Sequence, residues 1–175
     1  MIYLDHAATT PVHETVLKEV YNLERKVIGN PSSIHSFGRE ARAYLNEARS
    51  YLAKTIGADE SEIVFTSGGT EANNLAVIGT ALENEHKGNH IITTTQEHHA
   101  VIHIMDYLQS QGFHVTYLRV DEEGRVDVSE LERVLTDQTI LVSVMTANNE
   151  TGVIQPIAEI RSEEHTSELQ SHKLI

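Results

Sequence analysis

The feature that most restricts the fold of this chain is the alternation of short apolar strands with helices from residue 63 onward. Consecutive parallel strands need a helical crossover between them, so this order predicts βαβ units and a mostly parallel sheet with flanking helices. The last predicted strand is nearly all apolar, as expected of a strand buried on both faces. The fold class predicted is therefore α/β, with strands at 63–65, 90–93, 113–120 and 140–145. Helices are predicted at 72–78 and 97–111, followed by a short helix that Ser129 is expected to cap.

Two further helices are predicted before that region. Apolar residues recur at helical spacing between residues 16 and 27 and again between residues 37 and 56. Residues 29–33 (GNPSS) separate the two helices with turn-forming residues. Gly57 follows the second helix and is expected to end it, because glycine adopts the left-handed cap conformation at little cost.

The charge balance excludes several classes of partner. The chain has 13 Lys and Arg against 26 Asp and Glu, a formal charge of −13 at pH 7, which argues against binding nucleic acid or an anionic membrane. No apolar run approaches the roughly 20 residues that span a bilayer, and the start (MIYLDHAATT) does not resemble a signal peptide, so we expect a cytoplasmic protein. The absence of Cys excludes disulfides, cysteine-ligated zinc and a thiol nucleophile within this chain.

Three polar loops follow predicted strands. The first, residues 67–70 (SGGT), precedes a helix, where backbone amides and the positive helix end suit a phosphate. The two glycines would equally suit a tight turn, and spacing alone does not decide between these interpretations. The loop matches neither the P-loop, since it lacks the Gly-Lys-Ser/Thr ending, nor the GxGxxG pattern.

The second loop carries Glu97, His98 and His99, with His103 one turn further on. His99 and His103 are four residues apart and could share a metal on one helix face, but no third ligand is evident, so no metal is expected. A histidine at the end of a strand is better placed to stack on, or hydrogen-bond to, a planar ligand.

The third loop, residues 148–152 (NNETG), follows the most apolar strand. Its paired amides could orient a hydroxyl or carbonyl group of a ligand. The loop could equally be a turn before a helix that has Pro156 in its first position. Ligands of open α/β sheets bind at the carboxyl ends of the strands, so the three loops are expected to converge there.

Together these segments resemble the pyridoxal-phosphate-dependent cysteine desulfurases of the class-V aminotransferase family. The resemblance implies a truncated large domain of the aspartate-aminotransferase-like fold (fold type I), covering residues 1–160. Its matching segments are YLDHAATTP at 3–11, GNPSSIHSFGR at 29–39, EIVFTSGGTEANNLA at 62–76, HIITTTQEHHAV at 90–101 and ILVSVMTANNETGVIQPI at 140–157.

The resemblance also implies roles for four residues and a reaction. Gly69 and Thr70 would hold the cofactor phosphate, and His98 would stack on the pyridine ring and serve as an acid/base. Asn149 would contact the 3-hydroxyl side of the ring and the substrate. Family members convert L-cysteine to L-alanine and pass the sulfur, as a persulfide, to an acceptor protein, for example in iron–sulfur cluster biogenesis. The parent enzyme is expected to be a homodimer.

Part of the family pattern has no counterpart in this chain. The Asp facing the pyridine nitrogen, the Gln near the ring hydroxyl, the Schiff-base Lys, the mobile-loop Cys and the substrate-binding Arg cannot be assigned. Lys173 follows Ser and His as the family lysine does, but it comes a whole βα unit too early and is not taken as its equivalent. The chain is therefore predicted to be catalytically incompetent. Alternatives are a selenocysteine lyase, an aminotransferase, or a non-catalytic phosphate-ligand or interaction domain.

The last 15 residues, 161–175, are expected to be non-native. Residues 161–171 (RSEEHTSELQS) are the translation of eleven consecutive codons of a common sequencing-adapter oligonucleotide. Their pattern is not expected to continue the preceding helix and strand. The alternative is a natural polar C-terminus.

Overall fold

The computed structural model describes residues 2–166 and 173–174, with side chains up to residue 161. The chain divides into two compact units, Met1–Phe65 and Thr66–Ile175. In the first unit, helices α1 (Glu14–Lys26) and α2 (Ser36–Ile56) confirm the two helices predicted before the sheet. A 3₁₀ turn, Glu60–Glu62, follows α2.

The ends of both helices have local causes. His13 and His35 precede α1 and α2, and the Nδ1 atom of each accepts a hydrogen bond from a backbone amide of the first turn, at 3.3 Å in both cases. Gly57 ends α2 with φ +70°, in the left-handed region where a side chain would be strained. The predicted stop at Gly57 is therefore confirmed.

The strand predicted at 63–65 is wrong. This segment is extended but belongs to no strand of the described chain, and Val64 and Phe65 are exposed. The guanidinium of Arg49 in α2 lies 5.0 Å from the centre of the Phe65 ring and also donates a hydrogen bond to the carbonyl of Ile63. Three apolar residues permit a strand but do not specify one, because a strand also needs a partner for its backbone groups.

The second unit is an α/β layer, as predicted. Its sheet has the order β2-β1-β3-β4, and every neighbouring pair is parallel. The elements, in chain order, are α3 (Gly69–Asn84), β1 (His90–Thr94), α4 (His99–Ser110), β2 (His114–Leu118), α5 (Val128–Val134), β3 (Thr139–Val142), α6 (Ile157–Thr166) and β4 (Lys173–Leu174).

The core lies on both faces of the central strands. Neighbouring strand residues point to opposite faces, so Ile91 and Leu141 pack in one cluster and Ile92 and Val142 in the other. All four are at most 1% exposed. The first cluster is completed mainly by α3 and α4, and the second includes Ile160 of α6. This two-sided burial explains the nearly continuous apolar run predicted as the last strand.

Several boundaries differ from the prediction. Strand β3 ends at Val142 and not at residue 145, β2 is shorter than the predicted 113–120, and α6 begins at Ile157, one residue after Pro156. Asp127, not Ser129, caps α5, because its Oδ1 accepts the Ser129 amide at 2.9 Å. Helix α6 continues to Thr166, so the prediction that the pattern stops after Ile160 is wrong for the first six residues of that segment. Ile160 packs in the second core cluster, and the helix continues past this buried residue into the polar sequence. The remaining prediction for 167–172 lies outside the described residues.

No helix of the described residues combines the length and the apolar character that crossing a membrane requires.

Candidate functional site

The ends of β1 and β3 enclose a cavity of about 290 Å³ in the second unit. It is lined by residues 95–99, which connect β1 to α4, and by residues 148–151, which come after β3. His98 and Asn149 both line it. The predicted convergence is thus confirmed for the second and third polar loops. It brings the imidazole ring of His98 and the side-chain amide of Asn149 to the same cavity.

His98 is the N-cap of α4 and is itself exposed. Its Nδ1 accepts a hydrogen bond from the Ala100 amide at 3.1 Å. Because Nδ1 acts as an acceptor, the neutral ring must carry its proton on Nε2. No described residue forms a hydrogen bond with Nε2, so this nitrogen can interact with a ligand.

The two asparagines of the third loop have different roles. Asn148 Oδ1 accepts the amides of Glu150 and Thr151, each at 2.9 Å, and its Nδ2 donates to the Gln96 carbonyl at 3.2 Å. Asn149 is exposed, and its side chain has no hydrogen bond to any described residue. Asn148 therefore shapes the loop, while the amide of Asn149 is available to a ligand.

Glu97 is a site residue that the sequence analysis did not identify. Its Oε1 accepts hydrogen bonds from the Met145 amide at 2.8 Å and from the Thr94 hydroxyl at 3.1 Å. Burial raises the pKa of the Glu97 carboxyl, although these two hydrogen bonds lower it in part. The available signal was its place three residues after a buried strand, but the partner amide is 48 positions away in the sequence.

A second cavity, of about 340 Å³, brings α3 to the same region. It is lined by Asn73 of α3, by residues 143–146 after β3, and by Val101 of α4. Glu97 and His98 line this cavity as well as the first. The two cavities together surround the segment that carries His98.

Gly69 and Thr70 lie at the start of α3 and line neither cavity. Gly68 caps the helix without a side chain, and the amides of Gly69, Thr70 and Glu71 have no hydrogen-bond partner among the described residues. A Cβ added at Gly68 or Gly69 would meet no atom within 4 Å, so the space before the helix is open. Unpaired amides facing open space at a positive helix end fit a phosphate group.

The first turn of α3 also carries the carboxylate of Glu71. Glu71 accepts hydrogen bonds from the amide and the hydroxyl of Ser67, both at 2.6 Å, and these bonds lower the pKa of its carboxyl. They tie the loop before α3 to the first turn of the helix. The Ser67 donors are therefore engaged, which leaves the amides of Gly69, Thr70 and Glu71 as donors for an anion.

The rings of His99 and His103 are stacked, with centroids 6.0 Å apart. Within the part of the chain that the structure describes, no three His, Asp or Glu side chains are grouped so that they could hold a metal ion.

Comparisons with known proteins agree with this arrangement. Residues 2–171 match the sequence model of the family described as aminotransferase class-V. The chain is 57% identical to the putative cysteine desulfurase IscS 1 of Bacillus subtilis over 159 residues, which covers 91% of the chain and 42% of the relative. It is 52% identical to the cysteine desulfurase IscS of Dictyoglomus turgidum, covering 91% of the chain and 40% of the relative.

Solved structures show the same fold. A NifS-like protein superposes with a TM-score of 0.93 at 40% identity, covering 99% of this chain and 47% of the other. SspA in complex with cysteine superposes with a TM-score of 0.87 at 36% identity, covering 94% and 48%. The chain spans less than half the length of these relatives. The family match covers nearly the whole chain, so the chain belongs to the class-V aminotransferase family.

Proposed function

We propose that this chain is the N-terminal part of a pyridoxal-phosphate-dependent cysteine desulfurase, a sulfurtransferase that converts L-cysteine to L-alanine. Two of the relatives named above are described as cysteine desulfurases, one of them as putative, and one similar structure is described as a complex with cysteine. The observation that carries the proposal is the cavity at the ends of β1 and β3. It is lined both by His98, the N-cap of α4, and by Asn149, whose side-chain amide has no hydrogen-bond partner among the described residues.

Each residue of the site has a task that follows from its surroundings. The amides of Gly69 and Thr70, with the Thr70 hydroxyl, would bind the phosphate of the cofactor. The His98 ring would lie against the pyridine ring, and its Nε2 would hold or move a proton. The Asn149 amide would orient the 3-hydroxyl side of the ring and the substrate. When bound, pyridoxal phosphate supplies an electron sink for bonds broken at the substrate.

The chain as it stands is proposed to lack turnover. It contains no Cys to take up sulfur, and no lysine in it is assigned to carry the cofactor. The full enzyme would be a cytoplasmic homodimer that passes sulfur to an acceptor protein. A selenocysteine lyase or an aminotransferase remains the alternative within the family, and the residues that follow this region in the intact gene would distinguish them.

Ligand binding tests the proposal without requiring turnover. The probe is 4′-deoxypyridoxine 5′-phosphate, which has the ring and phosphate of the cofactor but no aldehyde. We expect the 175-residue chain to bind it, and to bind unphosphorylated 4′-deoxypyridoxine at least roughly tenfold more weakly. We expect His98→Ala and Asn149→Ala to weaken probe binding, while His103→Ala serves as the matched control.

The outcomes separate the candidate functions. Probe binding that is unaffected by His98→Ala and Asn149→Ala, and that inorganic phosphate abolishes by competition, would favour a non-catalytic phosphate-ligand domain. No measurable binding of the probe by the folded chain would contradict both the cysteine desulfurase proposal and the alternative of a phosphate-ligand domain.

We also propose that residues 1–160 are the native segment and that 161–175 derive from adapter read-through. The alignments with the curated relatives span 159 residues, 91% of the chain, whereas the family model matches residues 2–171. Sequencing the source locus is the test, and a genomic codon run that encodes the last 15 residues after Ile160 would contradict the proposal.

A further inference from the structure

We propose that Glu97 is a positioning residue of this site: its Oε1 fastens the turn that carries His98 to the end of β3 and so sets where the His98 ring lies. The inference takes its importance from the proposed function, because His98 matters only if a ligand binds beside it. Its structural part, the dependence of the His98 ring on Glu97, can be tested with no ligand present.

The contacts of Glu97 form a connected path across the end of the sheet. The Gln96 amide donates to the Thr94 hydroxyl at 3.2 Å, and that hydroxyl donates to Glu97 Oε1 at 3.1 Å. The same oxygen accepts the Met145 amide at 2.8 Å. One carboxylate oxygen therefore joins the last residue of β1 to the segment that follows β3.

This path continues directly into the N-cap of α4. Glu97 is covalently joined to His98, and His98 is held from the other side by the Ala100 amide. A second tie, from Asn148 Nδ2 to the Gln96 carbonyl, is longer at 3.2 Å and reaches the turn one residue earlier. Loss of the Glu97 tie would leave the turn fastened to the β3 side at Gln96 only, and His98 free to change its position.

The chemistry at this position requires an acceptor, not a charge. Both partners of Oε1 are donors, and a side-chain amide oxygen can accept from the same two groups. Glu97→Gln therefore keeps the tie, whereas Glu97→Ala removes it. Glu130→Ala is the matched control, since Glu130 also accepts a distant backbone amide, that of Arg119 at 3.3 Å, but lines neither cavity.

The experiment uses the 175-residue chain and three readouts: the ¹⁵N resonances of the His98 ring, hydrogen exchange at the Met145 amide, and the dissociation constant of 4′-deoxypyridoxine 5′-phosphate. Spectra are recorded where urea titration shows each variant to be folded. In Glu97→Ala we expect shifted His98 resonances, faster exchange at Met145 and a dissociation constant raised roughly tenfold. Glu97→Gln should restore all three, and Glu130→Ala should alter none.

A purely structural role predicts a different result. Glu97→Ala would then lower stability but leave the His98 resonances and the dissociation constant of the folded protein unchanged, and this would overturn the proposal. Glu97→Gln behaving like Glu97→Ala would also overturn it. If Glu97→Ala does not fold, Thr94→Val, which removes one of the two donors, should shift the His98 resonances partially, and no shift would refute the inference. A wild-type chain that binds no probe but shows the ring effects would refute only the proposed function.

Discussion

The adjacent residues Asn148 and Asn149 allow a sharp test of how this site is built. Replacing Asn148 with Ala removes one hydrogen bond to the Gln96 carbonyl, two from the amides of residues 150 and 151, and a weak one at 3.5 Å to the Met145 sulfur. Replacing Asn149 with Ala removes no hydrogen bond to any described residue. The two substitutions are chemically identical and one position apart. Any difference in the free energy of unfolding between the two variants therefore comes from the tertiary contacts of each asparagine.

The expected magnitude follows from these bonds. A net contribution of about 1 kcal/mol for each well-formed hydrogen bond applies to the two at 2.9 Å, and less to the one at 3.2 Å. We therefore expect Asn148→Ala to reduce the free energy of unfolding of the second unit by about 2 kcal/mol, or roughly 8 °C in its midpoint temperature. Asn149→Ala should change the same free energy by less than about 0.5 kcal/mol.

Urea denaturation followed by circular dichroism measures the overall free energy, and hydrogen exchange at the Ile91 and Ile92 amides measures that of the second unit. Asn148→Asp keeps the acceptor oxygen but loses the donor to Gln96, so it should fall between Asn148→Ala and the wild type. The reasoning is refuted if the free energies of unfolding of Asn148→Ala and Asn149→Ala agree within about 0.5 kcal/mol.

Four further predictions concern other parts of the chain. His90, buried at the start of β1, bonds the hydroxyls of Thr139 at 2.7 Å and Thr116 at 2.8 Å, so His90→Leu should cost about 2–4 kcal/mol in urea denaturation; an unchanged midpoint would contradict this. Gly57→Ala should cost about 1 kcal/mol because φ is +70°, whereas Gly79→Ala, inside α3 with open space around it, should not destabilise. Burial raises the pKa of the Glu97 carboxyl in the folded state, so its contribution to stability is complete below the unfolded pKa and is lost as pH rises through the folded pKa. Glu97→Gln should abolish that part of the pH dependence of the free energy of unfolding, and an unaltered pH profile would count against this prediction. The purified chain should release no sulfide from L-cysteine, and sulfide release that co-purifies with it through successive columns would disprove this.

Much of the fold could be predicted from local patterns. Helical spacing of apolar residues located α1 and α2, and the apolar run at 140–145 located β3. The strand predicted at 63–65 failed because its apolar character was not matched by a neighbour for its backbone. The start of α5 was misplaced by two residues, since both Asp127 and Ser129 are good capping residues and the pattern does not choose between them.

What the sequence determined by itself is the class of most elements, the family, and the identity of the loops that carry the site, because these depend on neighbouring residues and ordered motifs. What only the tertiary structure decided is the task of each polar side chain within those loops. Glu97 and Met145, or Asn148 and Gln96, are about 50 positions apart, and only the parallel pairing of β1 with β3 brings them into hydrogen-bond distance. A pair of asparagines looks equivalent in the sequence, yet one satisfies backbone groups and the other is left available, because the geometry of the strand ends assigns the partners.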